Sequence, residues 1–65
     1  MSDSLSELME VLRAARTVLR EADVVPWMAR ENPLLNDKKP IDMVRDGEAY
    51  KVLALIEGLA DGVVL

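Results

Sequence analysis

"WMARENPLLNDKKPIDMVRDG", residues 27–47, decides how the chain folds. It carries the only Trp and two of the three Pro of a 65-residue chain, yet it is short and charged and sits between two strongly apolar helical patterns. A flexible linker has no use for a large aromatic anchor, so the segment is expected to pack. Asn32-Pro33 ends any helix begun near Trp27, because the residue before a proline is pushed out of the α region. "LLNDKK" then turns, and both Leu34 and Leu35 are expected to go inside. Pro40 suits the first position of a short helix, "PIDMVRD", where its missing N–H has no intrahelical partner to lose, and Gly47 supplies the left-handed stop.

Upstream, "SLSELMEVLRAARTVLREAD" steps its apolar residues by threes and fours: Leu5, Leu8, Leu12, Ala15, Leu19 and Ala22 fall on one helical stripe. This spacing predicts a leading helix filling residues 1–23. Met9, Val11 and Val18 widen the stripe, as for a helix set into a core or against a second chain rather than a narrow coiled-coil seam. Ser4 and Glu7 have the spacing of a capping box, with Asp3 adding negative charge at the positive end of the helix dipole. Asp23 then caps a second, short helix, "VVPWMARE", which places Pro26 in a tolerant first turn.

Downstream, "EAYKVLALIEGLADG" aligns Ala49, Val52, Leu53, Ile56, Leu59 and Ala60 on one face. Gly58 inside this helix is either a point of close approach or a weak spot, and Gly62 is expected to stop it. The apolar tail Val63, Val64 and Leu65 either folds back on the stripe or inserts into a partner, and the sequence weighs the two evenly. The fold class expected is all-α: one small helical domain spanning 1–65, two longer helices flanking two short ones, no strands.

A chain this small buries only about 60% of the surface its unfolded form exposes. With no Cys and no His it lacks both disulfides and the usual zinc ligands. A partner is the remaining support. Its 51% hydrophobic and 31% charged residues suit a compact soluble domain. The longest apolar run, Val52 to Ile56, is far short of a membrane span, and "MSDSLSEL" lacks the basic start of a signal peptide, so the chain is expected in the cytoplasm. Net charge is −4 with the Lys and Arg dispersed, which argues against nucleic-acid binding by this chain alone and favours a basic protein partner.

Enzymatic chemistry finds little here, since the hydroxyls of Ser2, Ser4, Ser6 and Thr17 have no general base beside them. No cofactor or metal is expected: Asp42, Asp46 and Glu48 match no calcium loop, and helix-end capping explains them more simply. Trp27 reads first as a plug between helices and second as the edge of a binding pocket. Lys38 and Lys39 read as a solvated loop tip.

The order Trp27, Asn32-Pro33, Leu35, Pro40-Ile41-Asp42, Gly47, and then Val52, Leu55, Ile56 and Leu59 with Gly62, resembles the toxin-binding domain of the Xre/MbcA/ParS antitoxins. The likeness covers the region 24–65. Asn36-Asp37-Lys38-Lys39 stands where that family commonly has a glycine-bearing turn. The resemblance implies a helical antitoxin module that blocks a RES-domain toxin, which degrades NAD. Partner contact is then expected from Val52, Leu55, Ile56, Leu59, Val63, Val64 and Leu65, while Trp27, Asn32, Pro33, Leu35, Pro40, Asp42, Gly47 and Gly62 form the structural signature. Members usually carry a DNA-binding helical domain ahead of this part; the one helix preceding the matched region here is too little for a helix-turn-helix, so no separate DNA-binding domain is expected. The alternative is a small helical self-association domain that dimerises through its first-helix stripe.

Overall fold

A computed structural model describes residues 3–61. Its order is α1 (Ser4–Ala15), α2 (Glu21–Ala29), a 3-10 turn η1 (Pro33–Leu35), α3 (Pro40–Arg45) and α4 (Ala49–Ala60). The all-α class holds, with two long helices enclosing the short elements. Among the described residues there is no strand; the one backbone pairing of β type is the isolated bridge between Asn32 and Lys38. Gly62, expected to stop the last helix, lies outside the described residues, as do Val63, Val64 and Leu65.

The leading helix is shorter than its stripe predicts. It stops at Ala15, and α2 begins already at Glu21, ahead of Asp23. The break falls on Thr17 and Val18, β-branched residues that are weak helix formers. The Thr17 hydroxyl donates to the Ala14 carbonyl at 2.6 Å, and the Thr17 and Val18 N–H groups reach back only three residues, to Ala14 and Ala15. A hydroxyl that competes for a helix carbonyl loosens the ladder at that point. An uninterrupted helix of 20 residues would be about 30 Å long; breaking it lets α2 turn and bring Val24 and Met28 into the core. Asp23 therefore lies in the first turn of α2, bonded to Arg20 at 3.2 Å, and Pro26 falls in the helix interior instead of its first turn.

The cap of α1 also sits one residue earlier than expected. Asp3, not Ser4, is the N-cap: its carboxylate accepts from the Leu5 N–H at 3.1 Å and from the Ser6 hydroxyl at 3.0 Å. A carboxylate is the stronger acceptor and carries the charge the dipole favours, so the Ser4–Glu7 box is not used. The Ser6 hydroxyl, ahead of the backbone N–H groups, holds the Asp3 carboxyl below its ordinary value. The cap's contribution is therefore present above the unfolded-state pKa and is lost as pH falls through the lower folded value.

Each helix sends residues into one core. Val11 and Ala15 come from α1, Val24 and Met28 from α2, Leu35 from η1, Pro40, Met43 and Val44 from α3, and Ala49, Val52 and Ile56 from α4. α4 packs on both α1 and α3, α2 packs on α3, and η1 lies against α4. The centre of the α1 stripe is thus Val11 and Ala15, with Leu8 and Leu12 half-buried and Leu5 exposed. Leu34 and Leu35 also part company: Leu35 is buried and Leu34 is exposed, because adjacent residues in a tight turn cannot both face one core.

α3 is fixed at both ends. Pro40 opens it, and it closes with the Glu48 N–H on the Met43 carbonyl at 2.8 Å and the Gly47 N–H on the Val44 carbonyl at 3.2 Å, the two bonds of a Schellman motif. Gly47 takes φ +84°, and a Cβ there would meet nothing within 4 Å. Its requirement is conformational, not steric crowding. Gly47→Ala should therefore cost about 1 kcal/mol, a fall in Tm of roughly 4–8 °C for a domain of this size, read by thermal circular dichroism. Gly58 is the opposite case. It lies within α4, and among the described residues nothing comes within 4 Å of its would-be Cβ. Gly58→Ala should raise stability by about 1 kcal/mol in the same melting experiment.

Candidate functional site

The face of α4 expected to meet a partner divides once the chain folds. Val52 is 0% and Ile56 2% exposed, so both are core residues and offer a partner no surface in this conformation. The spacing that marks an interface stripe also marks a core stripe, and in a chain this short the core takes its middle. Leu55 is half-buried and Leu59 exposed, and these keep an accessible edge. The tail residues named with them, Val63 to Leu65, lie outside the described residues.

Leu55 opens onto a hollow of about 490 Å³ between the η1 loop and α4. Leu35 and Met43 form its floor and Leu34, 51% exposed, its lip. Lys38, Glu48 and Lys51 stand around it. Glu48 Oε1 accepts from Lys51 Nζ at 3.2 Å, and this bond, more than the general attraction between the charges, raises the Lys51 pKa. Lys51 Nζ also lies 5.9 Å from the ring centroid of Tyr50, an exposed aromatic beside the hollow. An apolar floor with a charged rim is the layout of a protein-docking patch, in which an inserted apolar side chain loses water while the rim orients it.

The signature residues build this hollow more than they line it. The Asn32 side chain accepts from the Leu34 N–H at 2.9 Å, and Pro33 opens the 3-10 turn. The Asn32 N–H donates to the Lys38 carbonyl at 3.0 Å, and the Asp37 N–H to the Asn32 carbonyl at 2.9 Å, which closes the loop on itself. Asn36 and Asp37 take φ of 57° and 63°. These are the non-glycine types that tolerate the left-handed region, and they make the turn where the resemblance leads one to expect glycine. Trp27 is half-buried against the core from α2 and does not line the hollow.

The acidic trio is engaged with cations of its own chain. Asp42 and Asp46 bracket Arg45 at 3.4 and 3.5 Å, and Glu48 holds Lys51. Among the described residues no cluster of carboxylates has the arrangement of a metal site. No helix of the described residues is long and apolar enough to cross a membrane. The sequence reading missed Leu34, Tyr50 and Lys51 as surface features. An aromatic on the polar side of the α4 wheel, and two adjacent leucines in a turn, were the available signals.

Comparison with known proteins gives a consistent answer. The chain is 48% identical over 59 residues to the mycobacterial cidal antitoxin MbcA of Mycobacterium tuberculosis, and equally to that of Mycobacterium bovis, covering 91% of this chain and 52% of the relatives. It superposes with a TM-score of 0.93 and 45% identity on a chain of the crystal structure of the M. tuberculosis MbcT–MbcA toxin–antitoxin complex, covering 95% of this chain and 56% of that one. The chain thus spans about half the length of the relatives it matches. Residues 14–62 match the antitoxin Xre/MbcA/ParS C-terminal toxin-binding domain, reaching back into α1 beyond the expected region 24–65, and the chain belongs to that family.

Proposed function

We propose that the chain is an antitoxin module that binds a cognate toxin and neutralises it by covering the toxin's active site, the toxin being of the RES-domain type that degrades NAD. The observation that carries this reading is the close fit to a chain of a crystallised toxin–antitoxin complex. The contact surface we assign is the accessible edge of α4 at Leu55 and Leu59, the hollow behind Leu34, and Val63, Val64 and Leu65. A site that holds an anionic dinucleotide needs basic groups, and a chain of net charge −4 is steered toward such groups and competes with the dinucleotide for them. A toxin that consumes NAD acts in the cytoplasm, where the module would meet it. Catalysis forms no part of the role: the module works by occupying a surface.

Two variants separate the parts of this surface. Deleting residues 62–65 should leave the fold and its Tm almost unchanged, since chain ends contribute little to a core. Binding should nevertheless weaken by orders of magnitude, because each apolar side chain fully buried in a partner is worth about 1.5–3 kcal/mol before the cost of ordering the chain end. Leu34→Ser, at an exposed position, should keep the fold and weaken binding about tenfold. Cells that co-express a RES-domain toxin bound by the full chain should arrest with the truncated chain and grow with the full one. Protection by the truncated chain would place inhibition on the α4 edge and the hollow alone.

A further inference from the structure

The hollow between η1 and α4 carries the charge opposite to that of the chain around it. Its titratable lining is Lys38, Lys51 and Glu48, two cations against one anion, in a chain of net charge −4. The end of α4 beyond Leu55 is the reverse: among the described residues its charged side chains, Glu57 and Asp61, are both acidic and both exposed. A basic site built for a dinucleotide attracts that acidic end and repels the lysines of the hollow. The two ends of the contact surface therefore answer to different parts of a partner.

Both lysines are placed by the fold, and neither is used up by it. The Lys38 N–H donates to the Leu35 carbonyl at 3.1 Å and its carbonyl accepts from the Asn32 N–H at 3.0 Å, so the loop fixes where this side chain leaves the backbone. Among the described residues the Lys38 ammonium forms no ion pair. The Lys51 ammonium gives Glu48 one bond at 3.2 Å and keeps further N–H donors for an acceptor from outside. Inside this cationic rim the hollow is apolar, with Leu35 and Met43 buried at its floor, Leu55 half-buried in its wall and Leu34 at its lip. Its 490 Å³ lies within the range of about 300–1,000 Å³ typical of pockets that enclose an apolar group. An apolar floor under an ammonium rim selects a bulky apolar side chain with a carboxylate beside it. A basic segment would oppose the lysines, and a purely polar one would leave the floor wet.

We propose, resting on the toxin reading above, that the hollow receives a bulky apolar side chain from an acidic segment of the toxin's surface, outside its dinucleotide site, and that a carboxylate of this segment pairs with Lys38 and Lys51. The chain then grips its target at two places of opposite charge.

The test uses the full chain and a RES-domain toxin that it binds, with affinity read by titration calorimetry. Lys38→Glu sets a like charge against the carboxylate and should weaken binding by at least about tenfold. Lys51→Gln, which removes only the cation, should act in the same direction. Lys39→Glu makes the same change in net charge one residue away, outside the hollow, and should alter affinity by less than about twofold. All three positions are exposed, so the variants should melt like the wild type. In the chain lacking residues 62–65, Lys38→Glu should weaken binding by the same factor again, because separate contacts add. The chain has no Cys of its own, so Leu34→Cys carrying a benzophenone should photo-cross-link to a toxin peptide that holds Asp or Glu beside a bulky apolar residue. Equal effects of Lys38→Glu and Lys39→Glu, or a cross-link within the dinucleotide site, overturn this assignment and leave the toxin reading standing. A Lys38→Glu effect that vanishes in the truncated chain also overturns it, by giving the hollow to the chain's own end. A wild-type chain that binds no toxin of this type sinks the toxin reading and this inference with it.

Discussion

Everything in this molecule depends on seating α4 against α1 and α3 through Val52 and Ile56, with Val11 and Ala15 facing them from α1. A domain of this length has few apolar residues to bury, and net stability is the small remainder of large opposing terms. Val52 and Ile56, on the stripe expected to meet a partner, are therefore drawn into the core. What the core does not need stays accessible: Leu55 and Leu59 at the edge of the α4 stripe, Leu34 at the loop lip, and Leu5 and Val25 on α1 and α2.

Because the core is small, the hollow between η1 and α4 is positioned by hydrogen bonds of the loops. Asn32 does this on one side, its side chain holding Leu34 and its backbone closing the loop onto Lys38. The Schellman closure of α3 does it on the other, fixing where α4 begins and so where Glu48 and Lys51 stand. The hollow between them is shaped by backbone geometry that needs only a few residue types: Asn-Pro, a left-handed pair and one glycine. The signature is accordingly made largely of residues that build the hollow rather than line it.

That division also decides what was legible beforehand. Pro40 and Gly47 announced α3 from both ends, since each acts through its own backbone and tertiary packing cannot override it. The helical pattern of α4 was legible for the same local reason. The end of α1 was not: the Leu12, Ala15, Leu19, Ala22 spacing continues through the break, and only the β-branched Thr17-Val18 pair hinted at it. Capping was ambiguous by one residue because Asp3 and Ser4 are both good caps. Which residues of the α4 stripe the core would bury was not legible at all, since periodicity gives a face but not what lies against it. The η1 turn was readable as a turn, yet its need for two left-handed residues is met by Asn36 and Asp37, whose tolerance of that region is weaker than that of glycine and gives a fainter sign.

Pro26 has a consequence for how the domain breathes. Lacking an N–H, it leaves the Ala22 carbonyl of α2 without its helical donor, and Ala22 lies on the exposed side where water takes that place. α2 has no side-chain cap at its start; Val24, Met28 and the half-buried Trp27 hold it in the core, and it packs on α3. With one carbonyl left to water and no side-chain cap, its amides should exchange with solvent faster than those of α1 and α4, through local excursions. The expected pattern is two tiers of amide protection, lower in the proline-bearing α2 and higher in the long helices that enclose it.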